Sequence, residues 1–331
     1  MFNTVLISKH RKELMGLAAL LVFIYHDWMY IFNGIPIFSE IEHFVSHTGN
    51  IGVDIFLFMS GIGLMYSIKE VNSTTEFYIH RIKRILLPAL VTSLIVAIIK
   101  RWDLITYIKA ISGYNFIFFS STFFLWYFYA IVLLYLFFPA YYHFYKKIEN
   151  KTILVFITLL IWCILEYLTV TFNDSGLCIF INRIPIFIFG TLLSENKNEH
   201  IFSFKELIIW IFIFATGVVL CVKCLNTDLL FIKKPILFLP YSILAISIVY
   251  LFSYVLELLN FKCIKKFLSF FGSVSFEFYC AQEIVINDII YDSIVGTIPI
   301  LYDVSVLAIE ALLGYTIYKL NNKFWNLLSH T

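Results

Sequence analysis

Apolar residues run in long blocks along this chain, separated by short polar stretches that carry most of the charge. A helix of about 17 to 25 apolar residues crosses a hydrocarbon core of about 30 Å. On that measure the blocks predict spans over approximately 13–33, 50–68, 85–102, 116–139, 152–170, 181–194, 206–223, 235–254, 267–287 and 299–318. The sixth is short, and the fourth is rich in aromatics. A membrane β-barrel would show alternation in segments of about ten residues, and the sequence shows none. The expected fold is all-α: a polytopic transmembrane helical bundle of about ten spanning helices, forming a single domain over 1–331.

Composition strengthens this picture. Hydrophobic residues make up 61% of the 331, and charged residues only 14%. A soluble domain carries about a quarter charged residues and cannot hide such an excess of apolar surface in one core. Charge also orients the chain. An even number of spans puts both termini on one side, and 17 of the 24 Lys and Arg fall in the segments on that side, Lys197 and Lys205 among them. The opposite segments hold 7, including Lys100, Arg101 and Lys109. The positive-inside rule then predicts cytoplasmic termini and a multi-pass protein of the inner (plasma) membrane, in contact with membrane lipid. Lys9, Arg11 and Lys12 precede the first span as in a signal sequence, but no small-residue cleavage site follows, so an uncleaved helix is expected. The net charge of +2 is divided among short loops and implies no nucleic-acid partner. Six scattered cysteines, including the CxxC pair Cys221 and Cys224, read as packing residues. Neither a bound metal nor a resident cofactor is expected.

Ionisable groups inside spans are costly and usually face a bundle interior or a wet cavity. His26 and Asp27 lie in the outer half of the first span, and Asp54 near the outer end of the second. Trp126 and Tyr127 enter the fourth from outside, and Arg183 begins the sixth. Glu277, Gln282 and Glu283 occupy the middle to outer half of the ninth. Successive spans run in opposite directions, so these distant positions fall at similar depth and predict one polar cavity open to the outer face. Each has a plainer reading. A lone intramembrane His is often a helix-to-helix hydrogen-bonder, and Trp126 suits an aromatic belt. Arg81, Lys83 and Arg84 are either positive-inside residues or a clamp for a phosphorylated ligand, since guanidinium matches phosphate in a bidentate way. Glu40, Glu42, His43 and His47 read as a solvated loop rather than a metal cluster.

Six blocks carry a resemblance: MGLAALLVFIYH (15–26), GVDIFLFMSG (52–61), FYIHRIKRILLP (77–88), LWYFYAIVLLYLFFP (125–139), RIPIFIFG (183–190) and GSVSFEFYCAQE (272–283). In this order they resemble the acyltransferase-3 family of integral-membrane acyltransferases, over roughly residues 11–290. The resemblance implies ten helices and transfer of an acyl group, usually acetyl, onto a hydroxyl, commonly of a surface or exported bacterial glycan. It implies catalytic roles for His26 and Asp54, and roles in the site for Arg81, Arg84 and Arg183. Two positions depart from the family pattern. Met15 stands where many members carry Arg, with Arg11 and Lys12 about one turn nearer the cytoplasm. Gln282 stands where many carry His.

O-acylation needs a base, an activated acyl donor and stabilisation of charge on the carbonyl oxygen. His26 is the expected base because imidazole titrates near neutrality, and Asp54 its orienting partner. Arg81 and Arg84 are expected to hold the phosphates of an acyl-CoA co-substrate, acetyl-CoA above all. Trp126, Arg183, Tyr279, Gln282 and Glu283 are expected to line the cavity or bind the glycan acceptor. Other readings stay open on the residues alone: a transporter of a glycan or lipid-linked sugar, a glycan polymerase, or a non-catalytic relative.

Overall fold

The computed structural model describes residues 4–28, 30–32, 34–118, 125–172, 176–195, 204–225, 230–259, 261–286 and 299–329. Among them there is no strand. The described residues form sixteen helices: α1 (Thr4–Lys9), α2 (Arg11–Asp27), α3 (Pro36–Thr48), α4 (Ile51–Glu70), α5 (Thr74–Ile99), α6 (Leu104–Ile111), α7 (Tyr114–Phe118) and α8 (Trp126–Lys147). They continue as α9 (Lys151–Phe172), α10 (Gly176–Ile181), α11 (Ile184–Leu193), α12 (Phe204–Leu225), α13 (Leu230–Leu259), α14 (Lys262–Ser273), α15 (Ser275–Ile286) and α16 (Pro299–Ser329).

Seven of the described helices, α4, α5, α8, α9, α12, α13 and α16, are long and apolar enough to cross a membrane by length and composition. Their outward faces suit lipid. In α9 the exposed side chains include Phe156, Leu160, Ile161 and Ile164, and in α12 Ile208, Ile211 and Phe212. An apolar surface of this extent is not tolerated in water.

The other three expected spans depart from single uninterrupted helices. The first stops at Asp27, where Trp28 turns to extended backbone at φ −80° and ψ 125°. The sixth is split into α10 and α11 at Asn182–Arg183, ahead of a proline at the start of α11. The ninth is split at Val274 into α14 and α15. The basic run Arg81, Lys83 and Arg84, ahead of the expected third span, is already helical in α5, which begins at Thr74. Its start is fixed by sequence: Ser73 accepts the Glu76 N–H at 3.1 Å, and Glu76 accepts the Asn72 N–H at 2.9 Å, a side-chain exchange that satisfies orphan donors. Lys197 and residues 29, 33, 119–124 and 287 of the expected spans lie outside the described residues.

Two close approaches hold the centre together. Gly16 of α2 lies against the Leu268 carbonyl of α14, and Gly272 of α14 against the Lys12 carbonyl of α2. A Cβ at either position would collide with backbone, so these helices meet without side chains between them, as small-residue contacts in membranes allow. Helix α4 is the core helix: fourteen of its twenty residues are buried. It packs on α2 and on α11, where Gly61 faces the Phe187 carbonyl. The aromatic stack of Trp210 on Tyr250, with ring centroids 4.2 Å apart, joins α12 to α13 at the periphery.

Candidate active site

One face of α2 organises the interior. Arg11, Met15, Ala19, Val22 and His26 recur at helical spacing and all border cavities. The rise from Arg11 to His26 is roughly 22 Å at 1.5 Å per residue. Leu14, Ala18 and Phe23, on other faces of the same helix, are buried in packing.

At the far end of this face, His26 opens into a cavity of about 380 Å³. Trp126 and Tyr127 of α8, Arg183 before α11, and Tyr279 and Gln282 of α15 share its wall. The sequence placed these residues, Tyr279 apart, at one depth, and the structure brings them around one space. The ring of Tyr25 meets His26 edge-on at 4.8 Å. Tyr127 meets Tyr279 at 5.5 Å and Phe56 at 5.9 Å. Gln282 is 1% exposed, and its side chain lies against Glu310 of α16 as well as on the cavity wall.

The segment after His26 is tied down by Glu42 of α3. Its Oε1 accepts the Trp28 indole N–H at 2.9 Å and the Ile31 N–H at 2.8 Å, and its Oε2 accepts the Phe32 N–H at 2.9 Å. Residues 40–47, expected as a solvated loop, are helical instead; Glu40, His43 and His47 are exposed as expected, but Glu42 is buried. Burial raises the Glu42 pKa, but the bonds from Trp28, Ile31 and Phe32 outweigh it and hold the carboxyl below its ordinary range.

Asp54 takes a different place from the one expected. It is fully buried and faces Arg183, whose Nε stands 3.5 Å from Asp54 Oδ2. Arg183 also donates to the Ile179 carbonyl at 3.1 Å and lies over the Trp126 ring at 5.4 Å. From α4, Val53 and Phe56 border the cavity. Asp54 and Arg183 thus form a buried ion pair beside the cavity. Removing one member of a buried pair leaves the other charge uncompensated. Asp54→Ala is expected to lower stability by ~3–5 kcal/mol, measured by thermal unfolding in nanodiscs, and Asp54→Ala/Arg183→Met to recover part of that loss.

At the other end of the α2 face, Arg11 joins Arg81 and Arg84 around a narrow cavity of about 50 Å³ that also includes Met15, Ser60 and Tyr135. Arg81 and Arg84 are three residues apart on α5 and so share a face. Arg81 lies over the rings of Phe77 at 5.3 Å and Tyr135 at 5.6 Å. The Arg11 guanidinium lies flat against Gly63, where a Cβ would come within 2.6 Å of it. Arg11 thus occupies the cluster that Met15 only borders. The narrow cavity and the His26 cavity share three wall residues, Phe56, Tyr127 and Ser275, and so adjoin.

Glu277 and Glu283 stand apart from the His26 cavity. Glu283 lies beside Tyr279 and the Leu125 backbone, and Glu277 borders a separate space near Arg84. On α15 the cavity stripe is Ser275, Phe278, Tyr279 and Gln282, a helical spacing that leaves 277 and 283 off the face. Residues not singled out from sequence also enter: Ser275 on the cavities, and the buried acids Asp303 and Glu310 of α16 near Asp27. Two acids seven apart on an apolar helix were the available signal, since such positions share a face. Among the described residues no group of three or more His, Cys, Asp or Glu is placed to hold a metal ion.

A family model described as an acyltransferase domain matches residues 14–319. The chain belongs to the acyltransferase-3 family. Neither the curated proteins nor the solved structures compared with it give a match. For this acyltransferase-family chain, the match begins inside α2 and runs through most of α16, and it takes in the lining of both cavities apart from Arg11.

Proposed function

We propose that the protein moves an acyl group, acetyl in the first instance, from acyl-CoA onto a hydroxyl of a surface or exported glycan at the inner membrane. The observation that carries this reading is the face of α2 that runs from the Arg11, Arg81 and Arg84 cluster to His26 through adjoining cavities. A donor with charged phosphates and a long, thin, uncharged arm ending in a thioester suits such a route. The guanidinium groups hold the phosphates, and the narrow cavity admits the arm but not the nucleotide. Membership of the acyltransferase-3 family supports the reaction class.

In the reaction, His26 takes the proton from the acceptor hydroxyl as its oxygen attacks the thioester carbonyl. The tetrahedral intermediate places negative charge on the former carbonyl oxygen, toward which Gln282 Nε2 donates. Collapse expels the CoA thiolate, which recovers the proton from His26, so ester and free thiol form with no net proton change. Arg183, braced by Asp54 and Trp126, binds the acceptor beside His26. The test is expression in a strain lacking its own surface O-acylation. Base-labile acetyl on the surface glycan, absent with the empty vector, supports the reading; glycan accumulating unmodified outside the cell points to transport instead.

A further inference from the structure

A second space opens beside the arginine cluster. It has a volume of about 500 Å³ and is bordered by the start of α2, the start of α5, the α14–α15 junction and the last turns of α16. Its wall carries Lys12, Lys83 and Arg84 together with Asn321 and Trp325. Arg11, Met15 and Arg84 border both this space and the narrow cavity. The two therefore adjoin as the two cavities along α2 do.

The α16 side is chemically unusual. Asn321 is 5% exposed, yet its Oδ1 has no hydrogen-bond partner among the described residues. The Trp325 indole N–H is likewise buried and unpartnered. The two are four residues apart, one helical turn on the same face. Buried polar atoms are ordinarily satisfied, so an acceptor and a donor left open together on one wall define a ligand edge. The edge they complement carries a donor next to an acceptor, as the amino group and ring nitrogen of adenine do. Lys83 Nζ stands over the Trp325 ring at 5.6 Å, which joins this wall to the basic one. Glu277, also on the wall, suits a ribose hydroxyl rather than a phosphate.

We infer that this vestibule is an adenine-nucleotide subsite: Trp325 and Asn321 read the base, and Lys12, Lys83 and Arg84 hold the phosphates. The inference rests on acyl-CoA being the donor and adds which residues select it. Asn321 and Trp325 both lie beyond the residue at which the family match ends, 319. The vestibule takes the nucleotide, and the narrow cavity takes the arm toward His26. A donor that ends at its phosphate, without the adenine nucleotide, makes no use of Trp325 and Asn321.

The experiment uses the full chain in nanodiscs, with CoA binding measured by calorimetry and transfer measured in membranes with two donors. One donor is acetyl-CoA and the other S-acetyl-4′-phosphopantetheine, which lacks the adenine nucleotide. Trp325→Ala and Asn321→Leu are each expected to weaken CoA binding roughly tenfold, the scale of losing one base-stacking or base-edge contact. They should raise KM for acetyl-CoA with kcat unchanged and leave transfer from the short donor as in the parent. Trp325→Phe, which keeps the ring, should retain part of the affinity. Parental CoA affinity in both variants overturns the subsite while leaving the donor reading standing. Equal loss with both donors also overturns it, because that is damage to the fold. Failure of the parent to bind CoA at all overturns the donor reading and the subsite with it.

Discussion

His26→Ala is expected to lower acyl transfer by roughly 10²–10⁴-fold, the scale of losing a general base, with membrane abundance and CoA affinity unchanged. The separation follows from geometry. His26 sits at one end of the α2 face, and the arginine cluster sits at the other, roughly 22 Å away along the helix. Removing the imidazole takes no partner from a buried charge and opens no packed core, because the ring already faces a cavity. The substitution therefore acts on kcat. Equal acetylation by parent and variant at matched abundance would remove His26 from the chemistry. Loss of CoA binding in the variant would show that the two ends are not separate sites.

Ser275→Leu is expected to abolish transfer, by at least a hundredfold, while CoA still binds at the basic end. Ser275 borders both the 50 Å³ cavity and the 380 Å³ cavity, opposite Phe56 and Tyr127. Three added carbons fill the space through which the thioester must pass. The wider cavity beside it offers room for the larger side chain, so overpacking, which costs about 1–3 kcal/mol in closed cores, is limited here. Ser275→Ala, which leaves the passage open, should keep most of the parental rate. Blocked transfer in both variants would instead give the hydroxyl itself a chemical role.

Much of this site was legible from spacing alone. The apolar runs set the helical class, and counting depth from alternating ends grouped His26, Trp126, Tyr127, Arg183 and Gln282, which do share a cavity. What spacing did not supply was azimuth across long range. Asp54 lies at the same depth as His26, but its side chain turns to Arg183 through the α4–α11 contact. Glu277 and Glu283 were legible as off the face from the 275, 278, 279 and 282 stripe, had that stripe been drawn. Arg11 was set one turn too far from the cluster on a straight count. The missing side chain at Gly63 lets its guanidinium lie inside the cluster. Asn321 and Trp325 fall past the expected end of the last span, in a helix that continues to Ser329. Membrane length arguments stop where the hydrocarbon stops, and this helix does not.

The central claim is that one passage joins a donor site at the basic end of the bundle to an acceptor site at His26. Sealed membrane vesicles of known orientation test it most directly, with labelled acetyl-CoA supplied on one face and acetylated glycan collected from the other. The account predicts labelled ester on the far side when donor is supplied at the face bearing Arg11, Arg81 and Arg84, and none when it is supplied only at the His26 face. Acetylation confined to the face where donor was added would contradict it.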